Sequence, residues 1–191
     1  MFILRSAAAA FALIGSLSGS GNAQALRAAP SGRATTTVTL NPTREAAQQG
    51  ATPATVSIDY GVPHARGRQV AGALPGDIGQ IWRLGANEAT TLRTDVDLVI
   101  GTLTVPKGAY TLAAETSAGS WKLIVNTKTG QWGIPYDAST ELGRTTLTAQ
   151  ALSSPIESFT IWIVPAPDNA AGGIIRFAWG TRAFSVPWRV K

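Results

Sequence analysis

From residue 54 to the C-terminus, apolar and polar residues alternate in short runs broken by Gly, Pro, Asn and Asp, the pattern of strands buried on one face and joined by turns. In "ATVSIDY", Val56, Ile58 and Tyr60 share a face; in "SWKLIVN", Trp121, Leu123 and Val125 point one way and Lys122, Ile124 and Asn126 the other. "SFTIWIV" aligns Phe159, Ile161 and Ile163, "GIIRFAWG" aligns Ile175, Phe177 and Trp179, and "RAFSVPWRV" aligns Phe184, Val186 and Trp188. In "LVIGTLTVPKGAYTLAAE" two further strands flank "VPKGAY". Pro106 presets one backbone angle there and Gly108 permits a positive one, so the stretch reads as a tight reversal between paired strands. Pro187 marks its run as an edge or a bulge. No stretch of a dozen residues carries a strong 3.6-residue period, which limits helix to single turns, near 140–143 or inside "IWRLGANEAT". Eight or so short strands without βαβ alternation predict an all-β fold, an antiparallel β-sandwich with a β-barrel as the alternative.

Ahead of this region the texture differs. Residues 26–53, "LRAAPSGRATTTVTLNPTREAAQQGATP", have little periodic hydrophobicity and read as a flexible tether with one edge strand at Thr36–Leu40. Residues 1–25 have one early cation, Arg5, an apolar run from Ala7 to Leu17, and small residues ending in Ala23-Gln24-Ala25. That layout predicts a signal peptide cleaved after Ala25, with a retained anchor as the alternative; the run is shorter than the about 20 residues of a membrane span. The expected division is signal peptide 1–25, tether 26–53 and β-sandwich 54–191. The mature chain is expected to be exported, periplasmic or extracellular, with no transmembrane segment.

Composition narrows the chemistry. The 191 residues are 45% hydrophobic, enough for one core, and contain no cysteine, so stability rests on packing and backbone pairing. Without Arg5 there are 15 basic residues against 11 acidic ones, a net charge of +4 with no run of four cations, which lacks the clustered stripe that nucleic acid requires. The single histidine, His64, and the lack of cysteine rule out a conventional His/Cys zinc site within one chain, and no serine sits in a nucleophile-elbow context. No glycine-rich phosphate loop is present, and no cofactor is called for. Asp59, Glu88, Asp95, Asp97, Asp137 and Glu157 remain as the candidate carboxylates, which solvation or pairing with arginine accounts for unless two share a cleft.

The densest stretch of functional side chains is "IWRLGANEAT", Ile81 to Thr90. Trp82 offers an apolar face with one donor, Arg83 a fork of donors, Gly85 a bend, Asn87 an amide that can close a turn, and Glu88 the carboxylate nearest to Arg83 in sequence. Two readings stay open. The residues pin a loop through an Arg83–Glu88 pair, or Arg83, Asn87 and Glu88 face a groove and hold a polar ligand. Further along, Trp132 and Tyr136 in "QWGIPYD" either pack in a turn or stack on a flat ligand such as a sugar ring.

Four segments also carry a family resemblance. "VSIDYGVPHARGR", through Asp59, Tyr60, Pro63, Gly67 and Arg68, together with "WRLGANEAT", "VPKGAYTL" and "NTKTGQWG", resembles in the same order the bacterial exported proteins grouped as domain of unknown function family 2911. Leu84 stands where that family usually has a small polar residue, and Gly61-Val62 where it has a polar and basic pair. The resemblance implies an exported, mostly β domain and makes the 82–90 and 131–136 loops the natural pair to share a surface; it implies no activity.

The candidate ligand-binding residues are therefore Arg83, Asn87, Glu88, Trp132, Tyr136 and Asp59, with no catalytic and no metal-binding assignment. The balance points away from an enzyme and toward a non-catalytic module of the envelope or periplasm that binds a small molecule or glycan. The alternatives are a structural protein that joins another envelope protein, and a cofactor-free hydrolase using Glu88 with Asp59 or Asp137.

Overall fold

The computed structural model describes residues 29–68, 70, 81–117, 120–168 and 170–191, so the expected signal peptide lies outside the described residues. The elements are β1 (Ser31–Leu40), α1 (Arg44–Gln48), β2 (Ala54–Pro63), β3 (Ile81–Trp82), β4 (Thr90–Thr94), β5 (Leu98–Ile100), β6 (Leu103–Val105), β7 (Gly108–Ser117), β8 (Ser120–Asn126), a 3-10 turn (Ala138–Thr140), β9 (Glu141–Pro165) and β10 (Gly172–Val190). The fold is all-β and antiparallel throughout, with strand order β1-β2-β4-β7-β8-β9-β10-β5-β6 and β3 paired to β7. None of the helices among the described residues is long and apolar enough to cross a membrane.

The strand β9 carries the chain from one layer to the other. Glu141 to Leu147 pair with β8, and Thr148 to Pro165 pair with β10. Side chains of the two layers then meet face to face. Tyr60 meets Phe159 edge-on at 5.7 Å, Trp82 meets Phe159 at 4.9 Å and stacks on Trp179 at 6.2 Å, and Trp121 meets Phe184 at 4.4 Å. Burying each such large side chain is worth about 1.5–3 kcal/mol, which lets the fold dispense with disulfides.

The period-two faces lie where alternation puts them: Val56, Ile58, Leu123, Val125, Phe159, Ile161, Ile175 and Phe177 are all fully buried. In β10 the buried set changes phase, from 175, 177 and 179 to 184, 186 and 188. A phase change within one strand requires an odd insertion, and the register against β9 shifts on both sides of Gly180, whose φ of 56° lies in the left-handed region. Pro187 is accommodated because the end of β10 pairs with β5 rather than with β9.

Two expectations change. "VPKGAY" does not join paired strands: β6 pairs with β5, whereas β7 pairs with β4, β3 and β8, so Pro106 and Lys107 carry the chain between layers. The tight hairpin is β5–β6, turned at Gly101. In addition, the segment read as a tether carries a ten-residue strand and a short helix. β1 pairs with β2 along its whole length, Ser31 opposite Pro63 through Leu40 opposite Ala54, rather than only over 36–40. Four threonines and Val38 in "ATTTVTL" suit a pleated edge even without strong alternation.

Candidate functional site

The 83–89 loop is wound tightly on the end of β2. Leu84 and Asn87 have φ of 49° and 63°, a left-handed conformation that costs an ordinary side chain, and Gly85 has φ of 156°. The Thr90 hydroxyl closes the loop by donating to the Leu84 carbonyl at 2.6 Å, and the Leu84 side chain is buried in the core. Leu84 is an apolar anchor, and Gly61 lies directly beneath the Ala86 carbonyl, where any Cβ would collide with the oxygen.

This loop pairs with the segment after β8. Ala89 N donates to Gln131 O at 3.1 Å and Gly133 N to Asn87 O at 3.0 Å. Those flanking bonds make Glu88 and Trp132 a directly opposed, non-hydrogen-bonded pair with both side chains on one side. Glu88 does not pair with Arg83. Its Oε2 accepts from Arg33 Nη1 at 2.9 Å, and Arg33 Nη2 also donates to Asp59 Oδ1, while Thr35 Oγ1 donates to Asp59 Oδ2 at 3.0 Å. The side chains of Glu88 and Asp59 are 54% and 39% exposed. Two carboxylates held open to water by one guanidinium do not form the enclosed pair that acid-base catalysis needs.

A second region lies on the outer face of the first layer. Thr35, Asp59, Thr91, Thr111, Asn126 and Glu141 are successive cross-strand partners, a polar row running across β1, β2, β4, β7, β8 and β9. At one end the row is exposed; at the other Thr111 and Asn126 are buried, because the 127–137 loop folds back over them. Gln131 Nε2 donates to Thr111 Oγ1 at 3.1 Å, and Asn126 Nδ2 donates to Asp137 O at 2.7 Å. Tyr136 donates to Glu141 at 2.7 Å, and Glu141 receives two bonds from Arg144, which also pairs with Glu115 at 2.7 Å. Burial, with Glu141 adding to it, pushes the Tyr136 hydroxyl up to about 12, so it remains a neutral donor. The void enclosed there measures only ≈10 Å³. That space suits a water-sized molecule, and the hydrogen bonds of Tyr136 fasten the loop over it.

The larger space opens on the other side of Arg83. A cleft of ≈390 Å³ is lined by Arg68, Arg83 and Asn87, with Trp82, Trp179 and Ile134 as its apolar walls. Among the described residues, its two guanidinium groups bond to backbone carbonyls: Arg68 to Ala65 O at 3.0 Å and His64 O at 2.6 Å, and Arg83 to Gly85 O at 3.4 Å. Among the described residues, the ion pairs are made by Arg33, Lys128 and Arg144, and neither Arg68 nor Arg83 has a carboxylate partner. Asn87 Nδ2 lies 3.4 Å from Ser31 O, which places its amide at the rim.

A family profile described as "Protein of unknown function (DUF2911)" matches residues 41–188. The chain belongs to this family. No curated protein and no solved structure matches the chain. The DUF2911 match includes the tight loop at Arg83, the opposed Glu88 and Trp132, and Arg68, but it begins after Arg33.

The six candidate residues thus divide. Arg83 and Asn87 line the cleft; Glu88 and Asp59 meet through Arg33, beside Trp132; Tyr136 fastens the neighbouring loop. No described cleft is lined jointly by Arg83, Asn87, Glu88 and Trp132. Arg33 escaped sequence reasoning because it sits in the segment read as a tether. Its one available signal was the run of threonines that makes that segment a strand.

Proposed function

We propose that this DUF2911 protein is a non-catalytic module of the cell envelope or periplasm that binds a small anionic molecule in the cleft between Arg68, Arg83 and Asn87. The observation that carries this reading is the pair of guanidinium groups in one cleft that, among the described residues, have no carboxylate partner. Guanidinium forks match the geometry of carboxylate, phosphate and sulfate, and charge-assisted bonds are about twice as strong as neutral ones. Trp82 and Trp179 supply an apolar wall, so the ligand combines an anionic group with a flat body, and the Asn87 amide can orient it.

The test is a panel of uronates, phosphate and sulfate esters and aromatic carboxylates, followed by thermal shift and tryptophan fluorescence at low ionic strength. One class is expected to raise the melting temperature and quench fluorescence, with Arg83→Gln and Arg68→Gln each weakening binding about tenfold. Equal binding by both variants and the parent, or no effect from any anion, sinks the proposal. Export predicts that the protein recovered from its native cell begins at Leu26, which N-terminal sequencing reads directly.

A second reading, as an interaction protein of the envelope, draws on Trp162, Val164 and Ile174. These are exposed on β9 and β10, with Val164 opposite Ile174. A contiguous apolar patch of this kind suits a protein contact. Sedimentation across a range of concentrations, and crosslinking in the native envelope, would recover the partner; a lone monomer in both would count against it.

A further inference from the structure

We infer that the ligand is an acidic oligosaccharide whose charged residue enters the Arg68–Arg83 cleft and whose neighbouring neutral sugar stacks on Trp132. This rests on the anion-binding reading of the cleft. Trp132 is 53% exposed and Ile134 57%, although both sit in a segment tied by backbone bonds to the 83–89 loop. Burial elsewhere in this protein is efficient enough to enclose four other tryptophans, at 82, 121, 179 and 188, wholly or in large part. A side chain left open on a held backbone has its conformational cost already met, which favours a binding platform.

The surroundings of Trp132 select the chemistry. The adjacent group of Arg33, Asp59 and Glu88 carries a formal charge of −1, so it disfavours a second anionic ring; its carboxylate oxygens accept hydrogen bonds from hydroxyl groups. A neutral pyranose offers both the hydroxyl groups and an apolar face for an indole. The cleft next to it carries two guanidinium groups that have no carboxylate partner among the described residues. Ile134 belongs to the cleft wall and stands two residues from Trp132, at most about 7 Å along the backbone. The two subsites are therefore as close as adjoining sugar residues, and a single chain can occupy both.

Calorimetric titration with glucuronate, with the two disaccharides that join glucuronate to glucose in either order, and with a glucose disaccharide tests this. One mixed disaccharide is expected to bind about tenfold tighter than glucuronate alone, and the glucose disaccharide not to bind. Trp132→Ala should erase the gain while leaving glucuronate affinity within about twofold, and Trp132→Phe should restore part of it. Equal affinity for glucuronate and both mixed disaccharides, or a gain that survives Trp132→Ala, overturns the inference and leaves the anion site standing. If Arg83→Gln and Arg68→Gln change nothing, the anion site itself has failed. Binding of a different anion with none of glucuronate overturns the sugar assignment alone.

Discussion

At the scale of single residues, the site depends on close approaches that leave no room for a side chain. The 83–89 loop can lie on β2 only because position 61 is glycine, and Gly133 admits the Arg83 side chain against the opposing backbone in the same way. Gly61→Ala forces the loop off the strand and is expected to cost about 2 kcal/mol, a Tm drop of roughly 4–8 °C. Asn87→Gly is the informative contrast. The φ of 63° at Asn87 suits glycine at least as well as asparagine, so the variant should melt within about 2 °C of the parent while losing the amide at the cleft. If both variants melt alike, the loop is not held as described. Neither approach is legible in the sequence, because Gly61 and Ala86 are brought together by the fold and not by proximity along the chain. The tight loop itself is legible, since a glycine and an asparagine two residues apart in "RLGANEAT" announce a backbone that leaves the ordinary regions.

At the scale of elements, the strands were readable because each buries one face and alternation needs no partner to be seen. The outer face of β8 was not. Lys122, Ile124 and Asn126 alternate as an exposed face should, yet Ile124 and Asn126 are buried, the latter beneath the loop fastened by Tyr136, Glu141 and Arg144. That fastening makes stability pH-dependent at both extremes. The Arg144 guanidinium, followed by the Tyr136 hydrogen bond, holds the Glu141 carboxyl below its ordinary value of 4.5. The stabilisation is present above that value and is lost as pH falls through the lower folded value. The neutral form of Tyr136 is favoured in the fold, so its stabilisation is complete below pH 10 and is lost as pH rises toward 12. Chemical denaturation at a series of pH values should show both slopes, with Glu141→Gln flattening the acid limb and Tyr136→Phe the alkaline one. Unchanged limbs in the two variants would place the titrating groups elsewhere.

At the scale of the whole molecule, the decisive feature is that β1 belongs to the sandwich although the family match starts after it. β1 covers the edge of β2 along ten residue pairs and buries Val38. Its Thr36 hydroxyl receives a bond from Ile163 N of the opposite layer at 3.4 Å, and its Arg33 joins Asp59 to Glu88. Without it, β2 would present unpaired donors and acceptors in a strand whose inner face is fully apolar, a template for association between chains. A protein beginning at Asn41 should therefore be less stable than one beginning at Ala29 by several kcal/mol, a large share of the 5–15 kcal/mol typical of a domain, and should form dimers or aggregates. Melting curves and sedimentation of the two proteins make the comparison, and a synthetic peptide spanning residues 29–40 should restore both the Tm and the monomer. If the protein beginning at Asn41 melts within a few degrees of the longer one and stays monomeric, β1 is an appendage, and the surface beside Trp132 must function without Arg33.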